Sequence, residues 1–169
     1  MPLVVSDNSP LNLLVRIGRP DVLPALFGRV LIPPEVAREM GHPKAPDPVR
    51  QFIAAPPSWL EIRPPTRTNA FPTLDPGESA AINLAVELGA VLLIDERDGR
   101  AAAAALGIPV IGAIGVLERA AEGGLIADLA TVYNAVRSQR FHVSEVILRD
   151  SLARIERNRN SQPPKGEAN

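Results

Sequence analysis

The chain has 169 residues, 46% of them apolar and only 4% aromatic, with a net charge of -1 and no cysteine. That length suits one domain whose core is filled by Leu, Val, Ile and Ala. The missing cysteines exclude disulfides, iron–sulfur clusters and thiolate zinc sites, and the near-neutral charge argues against holding nucleic acid by bulk positive charge, though it leaves room for local basic patches.

In chain order, Leu3–Ser6 reads as a buried strand, because the β-branched Val4 and Val5 occur without alternation. Ser9-Pro10 predicts a helix start, with Ser9 as N-cap and Pro10 at the first helical position. Gly18 stops that helix, and a second short one runs from Pro20 to Phe27. Val30–Ile32 reads as a strand, and Pro33-Pro34 opens a helix through Val36, Ala37 and Met40 that Gly41 ends. Residues 42–48 form a Pro-rich loop, 49–54 a helix, 59–62 an alternating strand and 63–72 another loop. Pro76–Leu88 is a helix with Gly89 as its stop, and Val91–Ile94 a second continuous apolar strand. Ala101–Leu106 is helical, Val110-Ile111 a short strand, and Val116–Ala121 helical. Two helices at about 127–138 and 143–157 follow, and the polar end 158–169, with Pro163-Pro164, reads as a disordered tail.

Apolar strands alternating with helices predict a three-layer α/β/α sandwich around a central, mainly parallel sheet of about four to five strands, with C-terminal helices. The expected organisation is one domain over 1–157. The N-terminus has no basic run ahead of a long apolar stretch, and no segment approaches the ~20 apolar residues of a membrane span. The expectation is therefore a cytoplasmic chain.

Ligands gather beyond the carboxyl ends of parallel strands. Asp7 ends the first strand, and Asp95 ends the strand of LLIDERDGR. In LDPGESAAINLAVELG, the apolar stripe is Ala81, Ile82, Ala85 and Val86. Glu78 precedes it by one turn on the same face, with its charge partly offset by the helix N-terminus. In IPPEVAREMG, taking about 100° per residue, Glu39 lies roughly 60° from the stripe of Ile32, Val36 and Met40, and Glu35 roughly 100°. Each acid has an ordinary alternative. Asp7 and Asp95 can cap helices, Glu78 can be a plain helix-start acid, and Glu39 can be solvated. Glu96 and Asp98 can be loop charges paired with Arg97 or Arg100. Only the joint pattern distinguishes the readings. Carboxylates that converge raise one another's pKa or demand a cation, and an all-oxygen set suits Mg²⁺ or Mn²⁺. Such an ion lowers the pKa of bound water and clamps a phosphoryl oxygen.

VVSDNSPL, VLIPPEVAREM, LDPGESAAINLA, LLIDERDGRAAA and GIPVIGAIGVL, in that order, resemble the PIN-domain family, and in particular its small prokaryotic, toxin-like branch. The resemblance spans roughly residues 2–125. It implies a metal-dependent endoribonuclease with Mg²⁺ or Mn²⁺, RNA as substrate and, for the toxins of type II toxin–antitoxin pairs, a cognate antitoxin protein as partner. Carried over by position, it makes Asp7, Glu39, Glu78 and Asp95 catalytic. Asp7, Glu78 and Asp95 become metal ligands, with Asp98 competing with Asp95 for the last acidic place. Asn8 or Ser9 would hold a metal-bound water or a neighbouring carboxylate. The LLIDERDG stretch departs from the Thr-x-Asp or Thr-x-Asn more usual in such toxins. A non-catalytic RNA- or protein-binding module on the same fold is the competing reading.

Arg97 and Arg100 follow Asp95 closely and, with Ser9, are candidates for gripping substrate phosphate; pairing with Glu96 or Asp98 explains the arginines equally well. His42 and His142 lie in apparent loops without ligand spacing. Val132, Val136, Phe141, Val146 and Ile147 fit ordinary core packing, a groove or a homodimer surface.

Overall fold

A computed structural model describes residues 2–162. Its centre is a five-stranded sheet of β1 (Val4–Ser6), β2 (Val30–Ile32), β3 (Leu60–Ile62), β4 (Val91–Leu93) and β5 (Val110–Ile111). The spatial order is β3-β2-β1-β4-β5 and every pairing is parallel. Parallel strands need crossover connections, and here each is helical. The helices are α1 (Asn8–Arg16), α2 (Val22–Phe27), α3 (Pro34–Met40), α4 (Asp47–Ala54), α5 (Pro76–Leu88), α6 (Arg97–Ala105), α7 (Ala113–Glu122), α8 (Leu129–Ser138) and α9 (Glu145–Ser161).

Alternation along the strands divides the core into two layers. Val4, Val30, Ile32, Leu60 and Leu93 pack with residues of α1, α2, α3, α4 and α7, and the same cluster extends to α8 and α9. Val5, Leu31, Leu92 and Ile94 pack with α5 and α6. The result is the expected α/β/α sandwich.

The order of strands fixes where the site lies. From β1 the chain builds outwards through β2 to β3, then returns to place β4 on β1's other side. The reversal opens a crevice at the carboxyl ends of β1 and β4, the place where parallel sheets bind ligands. Asp7 and Asp95 stand at those two ends, and the Asp7 amide donates to the Leu93 carbonyl at 2.9 Å.

Several boundaries differ from expectation. The first helix starts at Asn8 with Asp7 as N-cap, not at Pro10 with Ser9 as cap, because Asp7 already has the extended backbone of a cap residue (φ -75°, ψ 171°). α6 begins at Arg97, four residues before the expected Ala101. Gly99 in its first turn is buried, and a Cβ at this position would stand 2.5 Å from Ile94 Cδ1. Packing against Ile94 thus favours a residue that by propensity opposes the helix. α7 starts at Ala113 rather than Val116, and α4 at Asp47. Residues 158–161 belong to α9 rather than to a tail, with Arg159 tied to the carbonyls of Ile126 and Ala127. The expectation for 163–169 lies outside the described residues.

Candidate functional site

Asp7, Asn8, Ser9, Glu39, Thr73, Asp75, Glu78, Glu96 and Asp98 line one cleft of about 440 Å³ at the crevice. Six of these nine residues are acidic. They come from four separate stretches of chain: the β1–α1 junction, α3, the start of α5 and the start of α6. The N-termini of α1, α5 and α6 therefore all meet this space, and their partial positive charge offsets part of the acid cluster.

Asp7 is 3% exposed, and its Oδ1 is buried with no hydrogen-bond partner. It makes no side-chain cap bond to α1, although it holds the cap position. Burial pushes its carboxyl up from an ordinary 3.8 to about 7, the nearby backbone N–H of Asn8 opposes this, and repulsion from Asp75, Glu78 and Glu39 adds to it. Burying a carboxylate with an empty lone pair is costly, so this group is held at a disadvantage that a cation would relieve.

Glu39 is half-buried on α3, the helix whose Val36 and Met40 are fully in the core. Its carboxylate lies against Gly77 in the first turn of α5, where a Cβ would overlap Oε1 and stand 2.9 Å from Oε2. Burial is the main reason its pKa rises to about 7, followed by repulsion from Asp75.

Glu78 combines two of the readings open from the sequence. It is a helix-start acid, forming a capping box in which its amide donates to Asp75 Oδ1 at 2.8 Å and its Oε2 accepts from the Asp75 amide at 3.2 Å. It is also only 7% exposed, and its carboxyl is raised, chiefly by burial and then by the Asp75 charge. Only Oε2 is engaged in the box.

Asp98 lines the cleft and is exposed. Asp95 was expected there too, and the structure places it differently. Its Oδ1 accepts from the Ala113 amide at 2.8 Å and its Oδ2 from Ser9 Oγ at 3.1 Å. It lines a larger groove of about 1060 Å³ together with Arg100, Gly112, Arg119, Phe141 and Ile147. Arg100 likewise faces that groove, donating to the Ile94 carbonyl at 3.0 Å rather than reaching into the acidic cleft. Arg97 is exposed at the first position of α6, beside the cleft residue Glu96.

The sequence did not single out Asp75 or Thr73; Glu96 is the exposed loop charge it was read as, and it also lines the cleft. Asp75 was findable: Asp75-Pro76-Gly77-Glu78 has the spacing of a capping box, with the cap acid three residues before the glutamate. No comparable signal marks Thr73.

The all-oxygen donor set, and above all the unpartnered Asp7 Oδ1, suits a hard divalent cation such as Mg²⁺ or Mn²⁺. The acids ring the cleft rather than close on one point: among the described residues no three or more ligand-type side chains already form a tight metal cage.

An all-parallel five-stranded sheet with acids gathered at its switch point defines an α/β module of the PIN type. The family model described as PIN domain matches residues 3–157, and the chain belongs to that family. PIN domains are nuclease-type modules that generally use divalent metal ions. Among solved structures, the chain is similar to a PilT N-terminus domain protein from the hyperthermophilic archaeon Sulfolobus solfataricus P2. The identity is 16% over 85% of this chain and 98% of that one, with a TM-score of 0.45. No curated protein matches. Among the described residues no helix is long and apolar enough to cross a membrane.

Proposed function

We propose that this chain is a Mg²⁺- or Mn²⁺-dependent endoribonuclease, acting in the cytoplasm as the toxin of a type II pair and held in check by a cognate antitoxin protein. The observation that carries the reading is the buried, unpartnered Oδ1 of Asp7 inside a cleft lined by five further acids. Apart from the metal, such a site has no evident use and a real cost in stability.

Asp7, Glu78 and Asp98 are the residues that would hold the ion, directly or through water. When bound, the ion activates water and neutralises charge on the phosphate. Glu39, half-buried on the wall of the same cleft, would orient that water. Its seat against Gly77 fixes where it does so. Arg97, exposed at the first position of α6 next to the cleft residue Glu96, would meet a phosphate oxygen of the substrate, whereas the Ser9 hydroxyl is already donated to Asp95.

The test is cleavage of a mixed single-stranded RNA pool by the purified chain with Mn²⁺, with EDTA, and with the variants Asp7→Asn and Glu78→Gln. Metal-dependent cleavage that both variants abolish supports the proposal. Mn²⁺ binding without cleavage supports the competing reading of a non-catalytic module. The loose arrangement of the acids is the observation that favours that second reading. The toxin assignment is tested separately by growth arrest on expression, relieved by Asp7→Asn.

A further inference from the structure

We infer that Asp95 is a positioning residue whose carboxylate joins the starts of α1 and α7 and thereby sets Asp7, Asn8 and Ser9 in the cleft. The inference deepens the nuclease reading and rests on it.

Both α1 and α7 begin without a side-chain cap bond of their own. α1 has Asp7 at its N-cap, but that side chain makes no cap bond. α7 has Gly112, which has no side chain to offer. Asp95 supplies the missing acceptor at α7 and is tied to α1 through a side chain. Its Oδ1 takes the Ala113 amide, the first free N–H of α7, at 2.8 Å. Its Oδ2 takes the Ser9 hydroxyl in the first turn of α1 at 3.1 Å.

The surroundings are shaped for this role. A Cβ at Gly112 would stand 3.0 Å from Asp95 Oδ1 and 3.1 Å from Arg100 Nη1. Glycine there lets the carboxylate reach the α7 amide. Arg100 is anchored beside it on the Ile94 carbonyl at 3.0 Å. Turning Asp95 into the cleft would strip the Ala113 amide and the Ser9 hydroxyl of their acceptor together. The two residues after β4 that do line the cleft are Glu96 and Asp98, one and three positions further on.

The consequence is mechanical. Ser9 lies two residues from Asp7, and both line the cleft. A start of α1 free to shift carries Asp7 with it, so Asp95 governs the metal site without touching the metal. Supporting residues of this kind change metal affinity by about 10–100-fold when lost.

Asparagine separates the roles, because its carboxamide oxygen accepts from Ala113 and its NH₂ donates to Ser9 Oγ, while its value as a metal ligand is largely lost. The experiment measures Mn²⁺ affinity by calorimetric titration, RNA cleavage at saturating Mn²⁺, and thermal unfolding in EDTA, on the full chain. The variants are Asp95→Asn, Asp95→Ala, Ser9→Ala, the Asp95→Ala/Ser9→Ala pair, Asp7→Asn and Glu78→Gln. Expected is Mn²⁺ affinity within about threefold of wild type for Asp95→Asn, and a loss of about tenfold or more for Asp95→Ala. Ser9→Ala weakens in the same direction, and the pair is no weaker than Asp95→Ala alone, since both break one linkage. An Asp95→Asn variant that loses Mn²⁺ as fully as Asp7→Asn makes Asp95 a ligand and overturns the inference. An Asp95→Ala variant that melts earlier yet keeps affinity and cleavage makes it a mere fold element and overturns it as well. If Asp7→Asn and Glu78→Gln themselves leave Mn²⁺ affinity intact, the reading of the cleft has failed, and this inference falls with it.

Discussion

Replacing Asp7 by Asn makes the metal-free protein more stable, and more so at higher pH. The folded carboxyl sits at about 7 against an ordinary 3.8. Between those values the folded state holds a proton that the unfolded state has released. Stability therefore falls as pH rises through the window from about 4 to 7, and the loss is complete above it. At about 1.4 kcal/mol per pH unit, the full separation sets an upper bound of about 4 kcal/mol. Relaxation of the cleft and entry of water reduce this, and about 2 kcal/mol is expected at pH 8. Asn carries no charge, and its NH₂ can donate to the surrounding acids, so Asp7→Asn recovers that amount. For a chain of this size the gain is a rise in Tm of about 4–8 °C. The assay is thermal unfolding in EDTA from pH 4 to 9. The difference between the two proteins should approach zero at the acid end and level off above pH 7. Addition of Mn²⁺ should then raise the wild-type Tm and leave the variant almost unmoved, reversing or closing the gap. An Asp7→Asn protein less stable than wild type at pH 8 in EDTA, or a difference flat across pH, would refute the claim that burial and repulsion load this carboxylate.

Gly77→Ala should leave Tm within about 2 °C, since alanine favours the helix while Glu39 swings away from the new Cβ; RNA cleavage should nevertheless fall by about 100-fold through loss of Glu39's seat. Arg97→Ala should weaken single-stranded RNA binding, measured by fluorescence anisotropy, and lower the slope of log affinity against log salt by about 0.7, with Mn²⁺ affinity unchanged. Tyr133 and Ser151 are both fully buried and joined at 2.6 Å, pinning α8 to α9. Tyr133→Phe leaves the Ser151 hydroxyl without this partner and should cost about 1–3 kcal/mol in a denaturant titration, part of which Tyr133→Phe/Ser151→Ala restores.

What the sequence made legible was whatever depends on periodicity. β1 and β4 are continuous apolar runs because both faces are covered by helices, so their ends, and the acids on them, were visible. Pro76–Leu88 was bounded correctly because Pro and Gly punctuate both ends, and Gly89 takes the left-handed φ of 61° that such a stop needs. The joint placement of Asp7, Glu39 and Glu78 followed from helix phase and strand ends. Each is a property of one segment, and topology then brings the segments together. Contacts between segments were hidden. The sequence shows Asp95 at a strand end but not the uncapped helix at Gly112 that claims its Oδ1. It shows Glu96 beside two arginines but not that the backbone turns it towards the cleft. It penalises Gly99 inside a helix and cannot show Ile94 filling the space where a side chain would be.

The hidden contacts share a cause, and it bears on how the site is built. Between Ile94 and Arg100 the chain must leave a strand, begin a helix, cap a second helix and present acids to a cleft. Neighbouring carboxylates are divided among those tasks: Asp95 to the helix start of α7, Glu96 and Asp98 to the cleft. At the other end of the site, Asp75 and Glu78 do both tasks at once, since their capping box also forms part of the cleft wall. Asp7 and Glu96 occupy cap positions without acting as caps, and of the two only Asp7 is buried. A carboxylate placed where a helix start would accept its hydrogen bond, yet left with a bare oxygen facing other acids, gives up local stability. In a PIN-type site, binding a cation is what would recover it.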